Sequence, residues 1–178
     1  VLVAAGEPLS FAQDDVVLRG HAIECRINAE DVAQGFLPSP APITAYHEPG
    51  GIGVRVDSGV AAGDEISDLY DPLVAKLVVH DSSRELARRR MLRALEEFVI
   101  EGPRTLVGFH RALLESRCFV DGGTCHAVVE SKELAERAHE LDEEFAHRAT
   151  KLARASDGAA GRASASSLSA SDADMWTM

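Results

Sequence analysis

The stretch GHAIECRINAEDVAQGFLP, residues 20–38, decides the fold of this chain because its side chains alternate between apolar and polar over its first half. Strict alternation of this kind predicts a half-buried β-strand. The apolar face of the strand carries Ile23, Cys25 and Ile27. The polar face carries Glu24, Arg26 and Asn28. A carboxylate, a guanidinium and an amide are costly to bury unpaired, so this face is either solvated or built to hold a polar ligand.

The same alternation, bounded by turn residues, predicts further strands on either side of two Pro- and Gly-rich turns. With the first strand at 20–29, the others are expected at 42–47, 53–58 and 73–80. The nearly continuous apolar run from Leu73 to Val79 is interrupted by Lys76. Such a run is typical of a strand covered on both faces, and we predict that it is the central strand.

The period then becomes helical, with helices expected at 82–98, 105–115 and 131–154. Ser82 or Ser83 can cap the first helix, which has one broad apolar face that includes Leu86. The third helix is rich in Ala, Glu and Arg and is expected to be largely solvent-facing. Residues 155–178 are rich in Ala, Ser and Gly and are predicted to be disordered.

The charge balance restricts the partners of the chain. The formal net charge is −11, the sequence pI is about 5.0 and no basic stripe stands out, which argues against a nucleic acid partner. No apolar run reaches the roughly 18 residues of a membrane span, and the first residues lack the basic region of a signal peptide. We expect a fragment of a longer cytoplasmic protein, which begins inside a helix that ends at Gly6.

Three cysteines are present, Cys25, Cys118 and Cys125, and none belongs to a CxxC pair. An odd number argues against a disulfide framework, so we predict three free thiols in a reducing compartment. Zinc would need a fourth ligand and a tighter pattern than Cys118, Cys125 and His126 provide, and no metal site is predicted.

Four segments stand in order along the chain: GHAIECRINAED (20–31), FLPSP (36–40), EPGGIGVRVDSGV (48–60) and YDPLVAKLVVH (70–80). Together they closely resemble the C-terminal domain of biotin carboxylase, the ATP-dependent subunit of acetyl-CoA, propionyl-CoA and pyruvate carboxylases. The resemblance, which covers residues 1–130, implies an α+β fold with an antiparallel sheet and helices packed on one side. Periodicity and composition add a long C-terminal helix and a disordered tail. We therefore divide the chain into a domain over 1–130, an extra helix over 131–154 and a tail over 155–178.

The resemblance also implies site residues. Arg26 matches the arginine that contacts the ureido oxygen of biotin and lies beside bicarbonate, where a preorganised guanidinium stabilises a developing oxyanion. Glu24 is expected to orient Arg26 or to face solvent. Ile52 and Arg55 match positions that some relatives use at a dimer interface, although Ile52 stands where those relatives have phenylalanine. That difference weakens the inference of a homodimer.

In such an enzyme, ATP and bicarbonate are used to carboxylate biotin that hangs from a lysine of a separate biotin carboxyl carrier protein. The ATP-grasp lobe, which would bind ATP and Mg, is missing here, so this ligase fragment should bind no cofactor and be inactive alone. The implied partners are the ATP-grasp lobe, the carrier protein and a carboxyltransferase subunit. The implied setting is an acyl-CoA carboxylase such as acetyl-CoA carboxylase, in fatty acid biosynthesis.

Two alternatives stay open on the residues themselves. Arg26 could form an ordinary strand-face salt bridge with Glu24 or with a neighbouring strand, a contact that contributes little. The chain could also be a non-catalytic interaction or dimerisation module derived from such a domain. Lys76 is expected to pair with a carboxylate, with a contact near the biotin pocket as the alternative. Leu106 replaces a frequent asparagine, which removes a side-chain hydrogen bond at a helix start.

Overall fold

The computed structural model describes residues 1–144, and its elements follow the predicted order. The strands are β1 His21–Asn28, β2 Glu30–Asp31, β3 Leu37–Pro38, β4 Ala41–Pro42, β5 Ala45–His47, β6 Val54–Ser58, β7 Glu65–Ile66, β8 Leu73–Asp81 and β9 Val99–Glu101. The helices are α1 Arg84–Glu97, α2 Val107–Glu115, α3 Arg117–Val120 and a C-terminal helix over 132–144. The predicted continuation of that helix to 154 and the predicted disorder of 155–178 lie outside the described residues.

The main sheet is antiparallel, with the strand order β1-β8-β6. The predicted central strand is therefore confirmed as β8, and β1 and β6 form the two edges. Cys25 lies opposite Leu77 and Ile27 opposite Ala75, and all four side chains are buried. Because successive side chains of a strand point to opposite sides, this register puts one apolar face of the sheet into the core.

Small two-stranded sheets extend this core, in the pairs β2-β3, β4-β7 and β5-β9. The predicted single strand over 42–47 is wrong in detail, because it is divided into β4 and β5 with different partners. Between them, the buried Ile43 donates its N–H to the Asp64 carbonyl at 2.8 Å. Strand β9, which follows α1 and pairs with β5, was not predicted from the sequence.

Helix α1 begins after Ser83, whose Oγ accepts the Leu86 N–H at 3.3 Å. Its buried side chains recur at helical spacing and pack against β1 and β8: Ala87, Met91, Ala94 and Leu95. Leu86, which was predicted on this face, is 44% exposed, so that assignment is wrong. The Arg90 guanidinium lies 2.6 Å from the Asp81 carboxylate and ties α1 to the end of β8.

A second apolar cluster joins α2 to the C-terminal helix. It consists of Val32, Leu106, Phe109, Ala112, Ala138 and Leu141. The prediction of a largely solvent-facing helix is wrong for one of its faces, because Ala138 and Leu141 are fully buried. The carboxylate of Asp142 accepts the N–H of Gly108, at the first turn of α2, at 3.2 Å. The core of the described residues thus consists of two apolar clusters, one under the main sheet and one between α2 and the C-terminal helix.

The predicted set of three free thiols is also wrong. Cys118 and Cys125 form a disulfide, with their Cα atoms 5.8 Å apart. The turn that brings them together contains Gly122, whose φ of +74° is a left-handed conformation that glycine adopts without strain. Cys25 is free, and burial raises the pKa of its thiol to about 12, so this thiol is inert at neutral pH.

Within residues 1–144, no helix has the length and apolar character needed to cross a membrane.

The partly buried carboxylate of Asp142 predicts a pH-dependent stability. Burial raises the pKa of Asp142 from 3.8 to about 6, although the Gly108 N–H and nearby Arg104 and His139 oppose the shift. Since the folded state prefers the protonated acid, its stabilising effect is complete below pH 3.8 and is lost as the pH rises through 6. A shift of about two pKa units corresponds to roughly 3 kcal/mol.

Asp142→Asn keeps an oxygen that accepts the Gly108 N–H but cannot ionise. Urea unfolding at pH 4 and pH 7 should show the variant to be more stable than the wild type at pH 7, by roughly 1–3 kcal/mol, and close to it at pH 4. Glu136→Gln also replaces a carboxylate by an amide, on the exposed face of the same helix. The stability of this control relative to the wild type should be the same at pH 4 and pH 7. A stability difference between wild type and Asp142→Asn that is independent of pH would contradict the assignment.

Candidate functional site

The outer face of the main sheet carries the polar side chains predicted for a ligand. Cross-strand pairing puts Arg26 of β1, Lys76 of β8 and Asp57 of β6 in one row. The next row contains Glu24 and Arg55, separated by Val78. Side chains alternate along the strands, and the neighbours of these residues, such as Cys25, Leu77 and Val56, pack in the core cluster, so the charged side chains and Val78 share the opposite face.

Arg26 is exposed, and its guanidinium forms no ion pair or hydrogen bond with any residue in the described part of the chain. The alternative in which Arg26 makes a salt bridge with Glu24 is therefore wrong here. Lys76 is exposed and also has no carboxylate partner within residues 1–144, so the expected ion pair of Lys76 is absent there. The Asp57 carboxylate bonds instead to the Arg55 guanidinium at 3.1 Å.

The main chain of Arg26 is held more firmly than its side chain. The Nε2 atom of His110, on α2, lies 2.7 Å from the Arg26 carbonyl oxygen and can only donate to it. Just before the start of the same helix, the Leu106 N–H donates to the Asn28 carbonyl at 3.1 Å. Burial lowers the pKa of His110, which favours a neutral ring with its proton on Nε2. Sequence reasoning missed His110, because no motif distinguishes it among the apolar residues of α2.

Asn28 ends the polar face of β1. Its amide nitrogen donates to the Glu30 carboxylate at 2.8 Å, whereas its Oδ1 is buried and accepts no hydrogen bond from residues 1–144. A buried acceptor without a donor is costly, and such atoms are few in native proteins. This acceptor is therefore free to take a donor from a water molecule or from a group outside the described residues.

The residues predicted for a dimer interface lie away from Arg26. Ile52 is 92% exposed in the turn that precedes β6, at the edge of the sheet opposite β1. Arg55 follows on β6 and is engaged with Asp57. The structure thus separates the predicted site residues into two groups, Glu24 and Arg26 on β1, and Ile52 and Arg55 on or beside β6.

The donor set suits an anion better than a metal. Among the described residues, no group of three or more His, Cys, Asp or Glu side chains is arranged to hold a metal ion. Arg26 and Lys76 instead present two neighbouring cations that have no counterion within residues 1–144. Two such cations suit an anionic ligand whose oxygens can accept hydrogen bonds from both.

Known proteins share this sequence and this architecture. Biotin carboxylase 1 of Bacillus subtilis is 50% identical over 122 residues, which cover 68% of this chain and 27% of that protein. The biotin carboxylase of Haemophilus influenzae is 47% identical over 130 residues, which cover 73% of this chain and 29% of that protein. The chain thus spans less than a third of the length of these relatives.

A solved structure agrees with these sequence matches. The biotin carboxylase domain dimer of the 2-oxoglutarate carboxylase from Hydrogenobacter thermophilus, in complex with MgADP, ADP and bicarbonate, aligns with a TM-score of 0.72. The identity is 40%, over 75% of this chain and 30% of that one. The family model described as "Biotin carboxylase C-terminal domain" matches residues 24–131, which include most of β1 and all of β8, β6 and α2. By this match and these relatives, the chain belongs to the biotin carboxylase C-terminal domain family.

Proposed function

We propose that this chain is the C-terminal part of a biotin carboxylase, in which Arg26 stabilises negative charge on the ureido oxygen of biotin. The observation that carries the proposal is the exposed guanidinium of Arg26 on a rigid strand, next to the ammonium of Lys76, both unpaired within residues 1–144. Bicarbonate is bound in related solved biotin carboxylase domains, which supports an anionic substrate for this family.

The physical role of Arg26 follows from its chemistry. Arginine stays protonated at any working pH and presents N–H groups in a fixed fork, so it can donate to an oxyanion without gaining or losing a proton. The strand position of its Cα, with the carbonyl held by His110, limits how far this group must reorganise when charge develops. Glu24, two residues earlier on the same face, is exposed and forms no ion pair with Arg26 within residues 1–144, so of its two expected roles the solvent-facing one is favoured.

The remaining parts of the reaction belong to other segments or chains. ATP with Mg, bound by an ATP-grasp lobe, would activate bicarbonate, and none of the described residues is assigned to that step. Biotin would arrive on a biotin carboxyl carrier protein and leave toward a carboxyltransferase subunit of an acyl-CoA or pyruvate carboxylase. A cytoplasmic location and a homodimer that involves Ile52 and Arg55 stay predictions.

Replacement of Arg26 tests the proposal. In the complete native polypeptide, Arg26→Ala should lower kcat for biotin carboxylation by about 100- to 1000-fold, the usual effect of removing one oxyanion donor. A coupled ATPase assay with biotin and bicarbonate measures this loss. Arg89→Ala, at an exposed arginine of α1 whose partner is Glu85, is the matched control and should keep wild-type turnover.

The same assay contains two further outcomes. The isolated 178-residue chain should show no turnover above background, since no ATP-binding group is assigned to it. Full activity of Arg26→Ala in an otherwise working enzyme would refute the role of Arg26 and favour the interaction-module alternative. The alternative to the native polypeptide is a chimera. It joins the N-terminal two thirds of the Haemophilus influenzae biotin carboxylase, which would supply the ATP-dependent part, to this chain.

The unneutralised pair of Arg26 and Lys76 predicts a measurable repulsion. Like charges directly opposite in a sheet are destabilising, by about 0.2–1 kcal/mol. A double-mutant cycle with Arg26→Met and Lys76→Met, followed by urea unfolding at low salt, should give an unfavourable coupling of this size. The coupling should shrink at about 0.5 M NaCl, where charges at the surface are screened. A favourable or zero coupling at low salt would show that both cations already have counterions.

A further inference from the structure

The outer edge of β1 is covered by the beginning of α2, at the position of Arg26. Because β1 is an edge strand of the main sheet, its outer main-chain groups have no strand partner in the described part of the chain. Two carbonyl oxygens of β1 accept hydrogen bonds from this region. The Nε2–H of His110 donates to the Arg26 carbonyl at 2.7 Å, and the N–H of Leu106, directly before α2, donates to the Asn28 carbonyl at 3.1 Å. The backbone that carries Arg26 is therefore attached to α2 by a hydrogen bond between residues 84 positions apart.

The N-cap residue of helix α2 does not cap the first N–H groups of the helix. The residue at its N-cap position, Leu106, has no side chain that can accept a hydrogen bond, and no side-chain cap is present. The Gly108 N–H is instead satisfied by the carboxylate of Asp142, on the C-terminal helix. The two helices approach so closely there that a Cβ on Gly108 would lie 2.7 Å from the Ala138 carbonyl oxygen.

We propose that His110 is a positioning residue for Arg26, and that the C-terminal helix, through Asp142, holds the helix that carries His110. The inference rests on the proposed function of Arg26. The imidazole fixes the carbonyl of the residue whose guanidinium meets the substrate, while Asp142 and the buried Ala138 fix the position of α2. The described helix 132–144, which lies beyond the family match, thereby becomes part of the support of the site.

The electrostatic surroundings of both groups are consistent with this arrangement. The carboxylates of Glu24 and Glu30 face His110 and favour its charged form, but desolvation outweighs them and leaves the pKa lowered. Asp142 faces Arg104 and His139, which favour its charged form, and Asp31, which opposes it. A neutral imidazole donates from one nitrogen only, so its single N–H is committed to the Arg26 carbonyl.

The test uses kcat and KM of the complete native polypeptide, or of the chimera described above, with biotin, bicarbonate and ATP as substrates. His110→Leu removes the donor and keeps the bulk, and we expect kcat/KM for biotin to fall about tenfold or more, since small displacements of a reacting group are costly. His110→Gln, which can place an N–H at the same carbonyl, should restore most of the loss. KM for ATP should not change in either variant.

A double-mutant cycle separates positioning from general stability. If His110 acts through Arg26, His110→Leu should have little further effect on kcat/KM in an Arg26→Ala background. An equal loss with and without Arg26, or a loss that His110→Gln does not restore, would overturn the proposal. Asp142→Ala should repeat the pattern with a smaller loss, and it serves as the second variant if His110→Leu does not fold.

The result also distinguishes this inference from the proposed function. If Arg26→Ala is as active as the wild type, the proposed role of Arg26 fails. If Arg26→Ala is impaired and His110→Leu, with an unchanged thermal unfolding midpoint, is fully active, only the positioning role of His110 fails.

Discussion

A slip of one residue in the pairing of β1 with β8 would turn Ile27 toward solvent and Arg26 into the core, because the side-chain period of a strand is two residues. The register that prevents this slip is set by the apolar side chains of both strands, which are buried together against α1. The same register aligns Arg26 with Lys76 on the opposite face. Core packing and the composition of the polar face are therefore consequences of one constraint.

The free edge of β1 is the second feature on which the site depends. An uncovered edge offers unpaired main-chain groups to other chains, and proteins commonly cover such edges. Here the cover is the start of α2, which contributes a main-chain N–H and an imidazole to the strand segment that includes Arg26. An element that protects the sheet thus also restrains the backbone of the proposed catalytic arginine.

Leu106 shows how a lost local interaction is replaced by a distant one. As predicted from Leu106, this helix start has no side-chain cap at its N-cap position, and a carboxylate from the C-terminal helix accepts the Gly108 N–H instead. The replacement depends on a glycine that permits close approach and on a carboxylate that is partly buried. Through this hydrogen bond and its buried side chains, the C-terminal helix packs as part of the domain.

The sequence by itself determined the alternating strands, their order along the chain, the central place of β8, a serine cap of α1 at residue 82 or 83 and the family, because each of these depends on local periodicity or on contiguous motifs. It also placed Arg26 on a polar strand face. Only the tertiary structure decided the division of residues 42–47 into two strands, the pairing of Cys118 with Cys125, and the contacts of His110 and Asp142. The contact of His110 with Arg26 spans 84 positions, and that of Asp142 with Gly108 spans 34. Residues so far apart in sequence become partners only through the packing of helices and strands. A local sequence pattern contains no information on that packing.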